Sequence, residues 1–261
     1  VVWNNKLLEI NKVYNKDCIS ENGMCLIDNE SIDLILCDLP YNKQMGKWDS
    51  IIPFDSLWEE YKRIIKPKGA IVLFGSQPFT SLLVASNLKM FKYSLVWDKG
   101  KAGNIFVAKL KPLITHEDIL VFSHGATANG SKRNMNYYPQ MEQMDKSRNY
   151  YLASSGKSFQ RDSHEKINYT TDKKYPKSIW YFYNSNQKEK IHPTQKPVEL
   201  FEQLIKTYSN EGDLVLDNCM GSFTTAVACI NTNRNYIGFE NNNTYFELGQ
   251  KRLENYILIK N

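Results

Sequence analysis

The 261-residue chain predicts a doubly wound, mostly parallel α/β sheet that carries an inserted subdomain. Three observations lead to that class. Short apolar runs end in an acid or a glycine, as strands covered on both faces do. Stretches with helical spacing separate these runs. The alternation stops near residue 124 and resumes near 191, so the sheet is interrupted once.

The first predicted strand is Ile32–Cys37, delivering Asp38 to its end. A helix follows over Phe54–Ile65, with apolar residues at Phe54, Leu57, Trp58, Tyr61, Ile64 and Ile65, and Lys66-Pro67-Lys68-Gly69 stops it. Ala70–Gly75 reads as a second strand, Pro78–Leu88 as a helix, and Tyr93–Trp97 and Asp118–Ser123 as two more strands. After the interruption come a helix at Val198–Tyr208, a strand at Leu214–Leu216 and a helix at Thr224–Thr232. A strand at Asn235–Phe239 and a helix at Asn243–Ile257 close the order. The chain thus divides into a catalytic half (1–123), an inserted region (124–190) and the other half of the same sheet (191–261).

Composition narrows the classes further. The hydrophobic fraction is 42% and the charged fraction 23%, ordinary for a globular protein. No apolar run reaches the roughly 18 residues that a membrane helix needs. Val1–Ile10 lacks a basic stretch followed by an apolar core, so no secretory leader is expected there. Five cysteines without a C-x-x-C pair read as reduced and cytoplasmic, and four dispersed histidines give no metal-ligand spacing. The net charge of +5 is unevenly spread: residues 124–190 carry twelve Lys/Arg against six Asp/Glu, while the remainder sums to −1. Eleven aromatics share that stretch. Basic and aromatic residues interleaved in this way suit a phosphate backbone and its bases, although a solvated, Tyr-rich insertion has the same composition.

Three segments carry chemistry. In Leu214–Ala226 a strand ends at Asp217 and a small-residue loop runs into a helix; Gly221 lets the backbone approach a ligand. Glu240, 19 residues on at the next strand end, is suited to accept ribose hydroxyls. With one glycine in the loop, an adenosyl ligand without a pyrophosphate fits better than a dinucleotide; an ordinary strand–loop–helix reads the same. In Leu36–Asn42, Asp38 and the Leu39 carbonyl are placed to accept from one amino group, Pro40 fixes the backbone, and Tyr41 offers a stacking face. That set suits a planar base with an exocyclic NH₂ drawn out of its helix; a strand followed by a proline turn is the plainer alternative. In Ile191–Leu200 two prolines stiffen a helix entry, and His192, Thr194 and Lys196 are candidates to meet the carboxylate of an amino-acid-like ligand.

Together these segments resemble the amino-methylating DNA methyltransferases that use S-adenosylmethionine. Asp38-Leu39-Pro40-Tyr41 resembles their D-P-P-Y motif, Asp217–Thr225 their D-P-F-x-G-S-G-T-T donor loop, and His192–Pro197 their H-P-T-Q-K-P segment. The order, catalytic motif first and donor loop last, is that of the β class. Asp17-Cys18 matches a G-D-C-like strand end, and Trp97-Asp98-Lys99 and His116–Phe122 resemble the W-x-K and H-E-x-I-L-V-F stretches. The resemblance implies a Rossmann-like methyltransferase fold that methylates adenine N6 in double-stranded DNA, releases S-adenosylhomocysteine, and in the β class often pairs into homodimers. It implies donor contacts from Asp17, Cys18, Asp38, His192, Thr194, Lys196, Asp217, Asn218, Cys219, Gly221, Ser222, Phe223, Thr224 and Glu240. It puts target recognition in 124–190, where Lys132, Arg133, Lys146, Arg148, Lys157 and Arg161 are the candidate phosphate contacts and Tyr137 and Tyr138 the candidate base readers.

Two departures from the family pattern stand out. Leu39 replaces the first proline, and the donor loop has Asn218 for proline and Phe223 for the second glycine. Phe disfavours positive φ, so the loop is expected either to adopt an allowed conformation with the ring turned outward or to lose donor affinity. Cytosine-N4 methylation, an RNA or protein substrate, and a DNA-binding protein without turnover are the competing readings.

Overall fold

Eight strands form the main sheet of the computed structural model, which describes residues 8–41, 50–103, 105–150, 169–183, 191–192 and 195–260. Their spatial order is β1 (Lys12–Tyr14), β10 (Asn235–Phe239), β9 (Leu214–Asp217), β2 (Ile32–Cys37), β3 (Ile65–Gly75), β5 (His116–Phe122), β4 (Phe91–Asp98) and β8 (Ile179–Tyr181). Within this sheet β5 runs antiparallel to both neighbours and every other adjoining pair is parallel. The expected mostly parallel, doubly wound sheet is the observed one.

Its two faces follow from side-chain alternation. Leu34 and Leu36 of β2 enter one apolar layer with α3 (Val198–Tyr208), α4 (Thr224–Asn231) and α5 (Asn243–Lys260). Ile35 and Cys37 enter the other with α1 (Phe54–Ile64) and α2 (Phe79–Ser86). All six residues of β2 are buried, which is why its sequence is a continuous apolar run broken only by Asp33. Asp33 accepts from Lys66 Nζ (2.7 Å) and from the Leu214 amide (3.0 Å), so its burial is compensated at the start of the strand. In α1 the spacing of Leu57, Trp58, Tyr61 and Ile64 turns one stripe inward.

Four strands have no counterpart in the sequence reading. β1 and β8 are three residues each, too short to show a period. β6 (Glu142–Tyr150) and β7 (Tyr169–Lys174) form an antiparallel hairpin inside the region read as irregular. Their residues are largely polar and exposed, so no apolar alternation marks them. Residues Pro139–Lys177 form a compact unit of their own, narrower than 124–190; residues 124–138 and 178–183 belong to the main unit.

The reversal of β5 sorts the connections between the two sheet edges. β4 ends at Asp98 beside His116, the first residue of β5, so the segment joining them lies at the carboxyl edge, where Asp38 and Asp217 also emerge. β5 ends at Phe122 beside Phe91, and the Ser123 amide donates to the Met90 carbonyl (3.0 Å). The chain after β5 therefore leaves from the opposite edge.

Candidate active site

β9 and β2 are sheet neighbours whose following connections diverge, β9 leading to α4 on one face and β2 towards α1 on the other. Ligands of doubly wound sheets bind outside the strand ends at such a point. A cavity of about 550 Å³ opens there, lined by Asp17, Cys18, Asp38, Leu39, Pro40, Tyr41, Glu117, His192, Lys196, Asp217, Asn218, Cys219, Gly221, Ser222, Thr224 and Glu240, among others. Residues from segments more than two hundred positions apart thus share one cavity.

The Asp217–Thr225 loop is held from within. Asp217 is buried and accepts from the Thr225 hydroxyl and the Cys219 amide (3.0 Å). Burial, the dominant effect, pushes its carboxyl up to about 6. Asn218, where the family has proline, accepts from the Tyr61 hydroxyl of α1 (2.5 Å), so a side-chain bond fixes what a ring otherwise would. Gly221 has φ +52°, and its amide donates to Glu240 Oε2 (2.7 Å). Glu240 Oε1 accepts from the Asn242 amide (2.8 Å). A carboxylate has about four acceptor positions, so two backbone bonds leave room for hydroxyl donors. Burial raises the Glu240 carboxyl, and those two amides work against it.

Phe223 overturns an expectation. It adopts the left-handed conformation (φ 61°, ψ 26°), and its ring turns inward, 1% exposed. The ring packs edge-on against Phe246 of α5 (5.9 Å between centroids) and over Gly249, where a Cβ would lie 2.4 Å from Phe223 Cδ1. A bare helix position in α5 therefore accommodates the ring, and its burial offsets the backbone strain. The loop keeps a glycine-like backbone without a glycine.

On the β2 side, Leu39 is 4% exposed and anchored in the α1/α2 layer, so core packing takes over the proline's restraint. The Tyr41 ring lies 4.9 Å from Phe79, and its hydroxyl donates to Asp38 Oδ1 (2.7 Å). Lys196 meets two carboxylates of the chain. Its ammonium pairs with Asp38 Oδ2, lies 3.3 Å from Glu117 Oε2 and sits over the Phe74 ring at 5.2 Å. The approach to Glu117 is an ion pair without hydrogen-bond alignment. Lys99 Nζ lies 3.3 Å from Glu117 Oε1. Two ammoniums and two carboxylates so alternate from β4 through β5 and the α3 entry to the end of β2. Burial raises the Glu117 carboxyl, but Lys196 and Lys99 outweigh it and the net shift is down. Burial lowers the Lys196 ammonium, but Asp38 and Glu117 outweigh that, and the net shift is up. Both partners are charged. Lys196 thus answers two carboxylates of the chain itself. Glu117 and Lys99 were quoted in the sequence only for their family resemblance; nothing in spacing alone brings them to Asp38.

His192 packs edge-on against Tyr245 (4.1 Å), and burial together with the Lys196 charge lowers its imidazole to about 4. It is neutral at neutral pH, so any ligand contact it makes is a hydrogen bond rather than an ion pair. Asp17 is exposed at the cavity rim and accepts from the Ile19 amide (3.0 Å). Cys18, Cys37 and Cys219 converge beneath the loop, Cys18 and Cys219 lining the cavity, and Asn218 Nδ2 is 3.5 Å from Cys18 Sγ. Burial holds the Cys37 thiol up at about 12, so this cluster is neutral. The Gly221 loop and the Glu240 carboxylate beside it, in a cavity of ligand size, fit an adenosyl group.

Lys132, Arg133, Tyr137 and Tyr138 are not among the residues lining this cavity. Lys132 and Arg133 are exposed on a turn after β5, where the Asn136 amide donates to the Lys68 carbonyl (2.8 Å). That is the sheet edge opposite Asp38. The Tyr137 ring is 6.2 Å from Tyr208, and the Tyr138 hydroxyl accepts from Asn210 Nδ2 (2.5 Å); both contact residues at the end of α3. Lys146 is exposed on β6, and Arg148 pairs in register with Thr171. Lys157, Arg161 and Thr194 lie outside the described residues.

Comparison with known proteins identifies the family. Type II methyltransferase M.HpaI of Haemophilus parainfluenzae is 30% identical over 87% of this chain and 70% of its own length. DNA adenine methyltransferase YhdJ of Escherichia coli K12 is 30% identical over 94% of this chain and 83% of its own. The solved complex of M1.HpyAVI with SAM has the same fold (TM-score 0.59, 23% identity, 93% of this chain and 98% of that one). The family model described as DNA methylase matches residues 32–251, and the chain belongs to that family.

Proposed function

We propose that this chain transfers a methyl group from S-adenosylmethionine to N6 of an adenine that has left its double helix. Asp38, Leu39, Pro40 and Tyr41 meet the base in this reading, and the Asp217–Thr225 loop and Glu240 meet the donor. One observation supports it above the others: Asp38, at the end of β2, and the Gly221–Glu240 pair, at the ends of β9 and β10, line one cavity.

When bound, S-adenosylmethionine supplies a methyl group on a sulfonium whose departure yields a neutral thioether. The protein's task is to position and polarise an amine whose lone pair is delocalised into the ring. Asp38 does so as an acceptor. Lys196 and Tyr41 each occupy one of its oxygens, and each oxygen keeps a further lone pair for an N–H of the base. With the Leu39 carbonyl as second acceptor, the amino nitrogen is drawn towards tetrahedral geometry and its lone pair is exposed. As the N–C bond forms and the C–S bond breaks, one N–H proton becomes acidic, and Asp38 is within reach to accept it. Tyr41, braced by Phe79, gives the base a flat surface. The Glu240 carboxylate takes ribose hydroxyls.

Target recognition by the Pro139–Lys177 unit, a cytoplasmic location and pairing of two copies belong to the same reading. No helix among the described residues is long and apolar enough to cross a membrane. The test is transfer of tritiated methyl to unmethylated genomic DNA, RNA and protein, followed by modified-base sequencing. N6-methyladenine at a fixed sequence is the expected product. Label in cytosine, RNA or protein alone overturns the reading. Glu240→Ala is expected to weaken donor binding by about 1.5–3 kcal/mol, the scale of a charge-assisted hydrogen bond, measured by calorimetry.

A further inference from the structure

The segment between β4 and β5 has no part in the site described above beyond Lys99 at its base. Residues 99–103 and 105–115 leave and re-enter the sheet at the carboxyl edge, and backbone bonds close its stem: the Lys99 amide to the Thr115 carbonyl (2.8 Å) and the Gly103 amide to the Ile114 carbonyl (3.3 Å). A short 3-10 turn, Ile105–Val107, stands at its far end. Ile105 is 72% exposed, Phe106 92% and Leu110 83%. Lys101, Lys109 and Lys111 are exposed around them, and the segment contains no Asp or Glu. Its base carries Lys99, whose ammonium meets Glu117, which meets the Lys196 that holds Asp38. Exposed apolar side chains interleaved with cations, on an arm whose base is linked to Asp38 through Glu117 and Lys196, are a costly surface for an unbound protein.

Resting on the DNA reading above, we propose that this arm is a second DNA-contacting element: Phe106 enters the duplex at the space left by the extruded adenine, and Lys101, Lys109 and Lys111 contact the flanking phosphates. Charge complementarity selects DNA over another copy of the chain, since two such arms facing each other would oppose cation to cation. An apolar side chain inserted at a base step is a known means of stabilising an unstacked duplex. It also relocates the phosphate contacts. Lys132 and Arg133, assigned from charge counting, leave from the other edge, whereas the arm leaves from the edge of Asp38.

The experiment compares the full chain with Phe106→Ala and with Lys109→Ala/Lys111→Ala, using a duplex containing the site found by modified-base sequencing. Phe106→Ala is expected to lower the single-turnover rate about tenfold, the scale of losing one stacking side chain. A second duplex, with an abasic position opposite the target adenine, should recover most of that loss, because extrusion then no longer breaks a pair. A merely structural role would show no such recovery. The double lysine variant should flatten the slope of log affinity against log salt by up to about 1.8, at about 0.9 per phosphate. Wild-type protein that methylates no DNA overturns the underlying reading and this inference with it. Active wild type with an unaltered Phe106→Ala rate, or a loss that the abasic duplex does not recover, overturns the inference alone. So does a Phe106→Ala protein whose sedimentation shows separated protomers at unchanged rate per protomer, which would assign the arm to a second copy.

Discussion

Asp38 holds its position through Tyr41, three residues on, and Lys196, delivered by the approach to α3. Asp38→Ala removes the acceptor and should reduce turnover at least about 100-fold while donor binding persists, read by single-turnover transfer beside calorimetry. The charge chain behind it makes a separate prediction. Glu117→Gln leaves two ammoniums sharing one carboxylate in a largely buried place and should cost about 2 kcal/mol or more in urea unfolding. Adding Lys99→Met restores the charge balance, so the double variant should lose less than the two single losses added together. Asp217 makes a prediction in pH. Its folded carboxyl titrates at about 6, above its ordinary 3.8, so the native state binds the proton more tightly than the unfolded chain. That stabilisation is complete below about pH 4 and is lost as pH rises through 6, amounting to about 3 kcal/mol. Asp217→Asn should flatten the stability profile across that window in equilibrium unfolding.

The Asp217–Thr225 loop and α5 act as one element pair. The left-handed Phe223 is tolerable because Gly249 leaves space for its ring. Phe223→Gly relieves about 1–2 kcal/mol of backbone strain but gives up a buried aromatic of about 3–5 kcal/mol. A net loss of stability with donor affinity within a few-fold of wild type is expected, and a tenfold tighter donor would show that the ring obstructs the site. Gly249→Ala puts a methyl 2.4 Å from that ring. It should lower the unfolding midpoint as well, and combined with Phe223→Leu it should cost less than the sum of the two.

Across the whole molecule, the direction of β5 determines which connections can meet a substrate. Lys132→Ala/Arg133→Ala should leave the salt slope of DNA affinity unchanged, in contrast to the lysines of the β4–β5 arm. A flattened slope would return the phosphate contacts to the edge after β5. Deleting Pro139–Lys177, a unit with its own hairpin, should abolish site preference in modified-base sequencing while donor binding survives in calorimetry.

The sequence by itself determined the alternation of elements, because strands buried on both faces and helices with one buried stripe each leave a period in the chain. It also singled out the segments that line one cavity at the carboxyl edge, whose residue types and order are short-range facts. β10, for example, spans the residues its period marks. Strands too short or too polar to show a period, such as β1, β6, β7 and β8, carried no such signal. Only the tertiary structure decided the partners. That Lys196 answers Asp38 and Glu117 depends on strands far apart in sequence lying side by side. That Phe223 can take a glycine's backbone depends on a glycine 26 positions later in α5. That Lys132 and Arg133 leave from the edge opposite Asp38 depends on one strand running backwards, and strand direction is set by packing between distant segments, which local sequence does not encode.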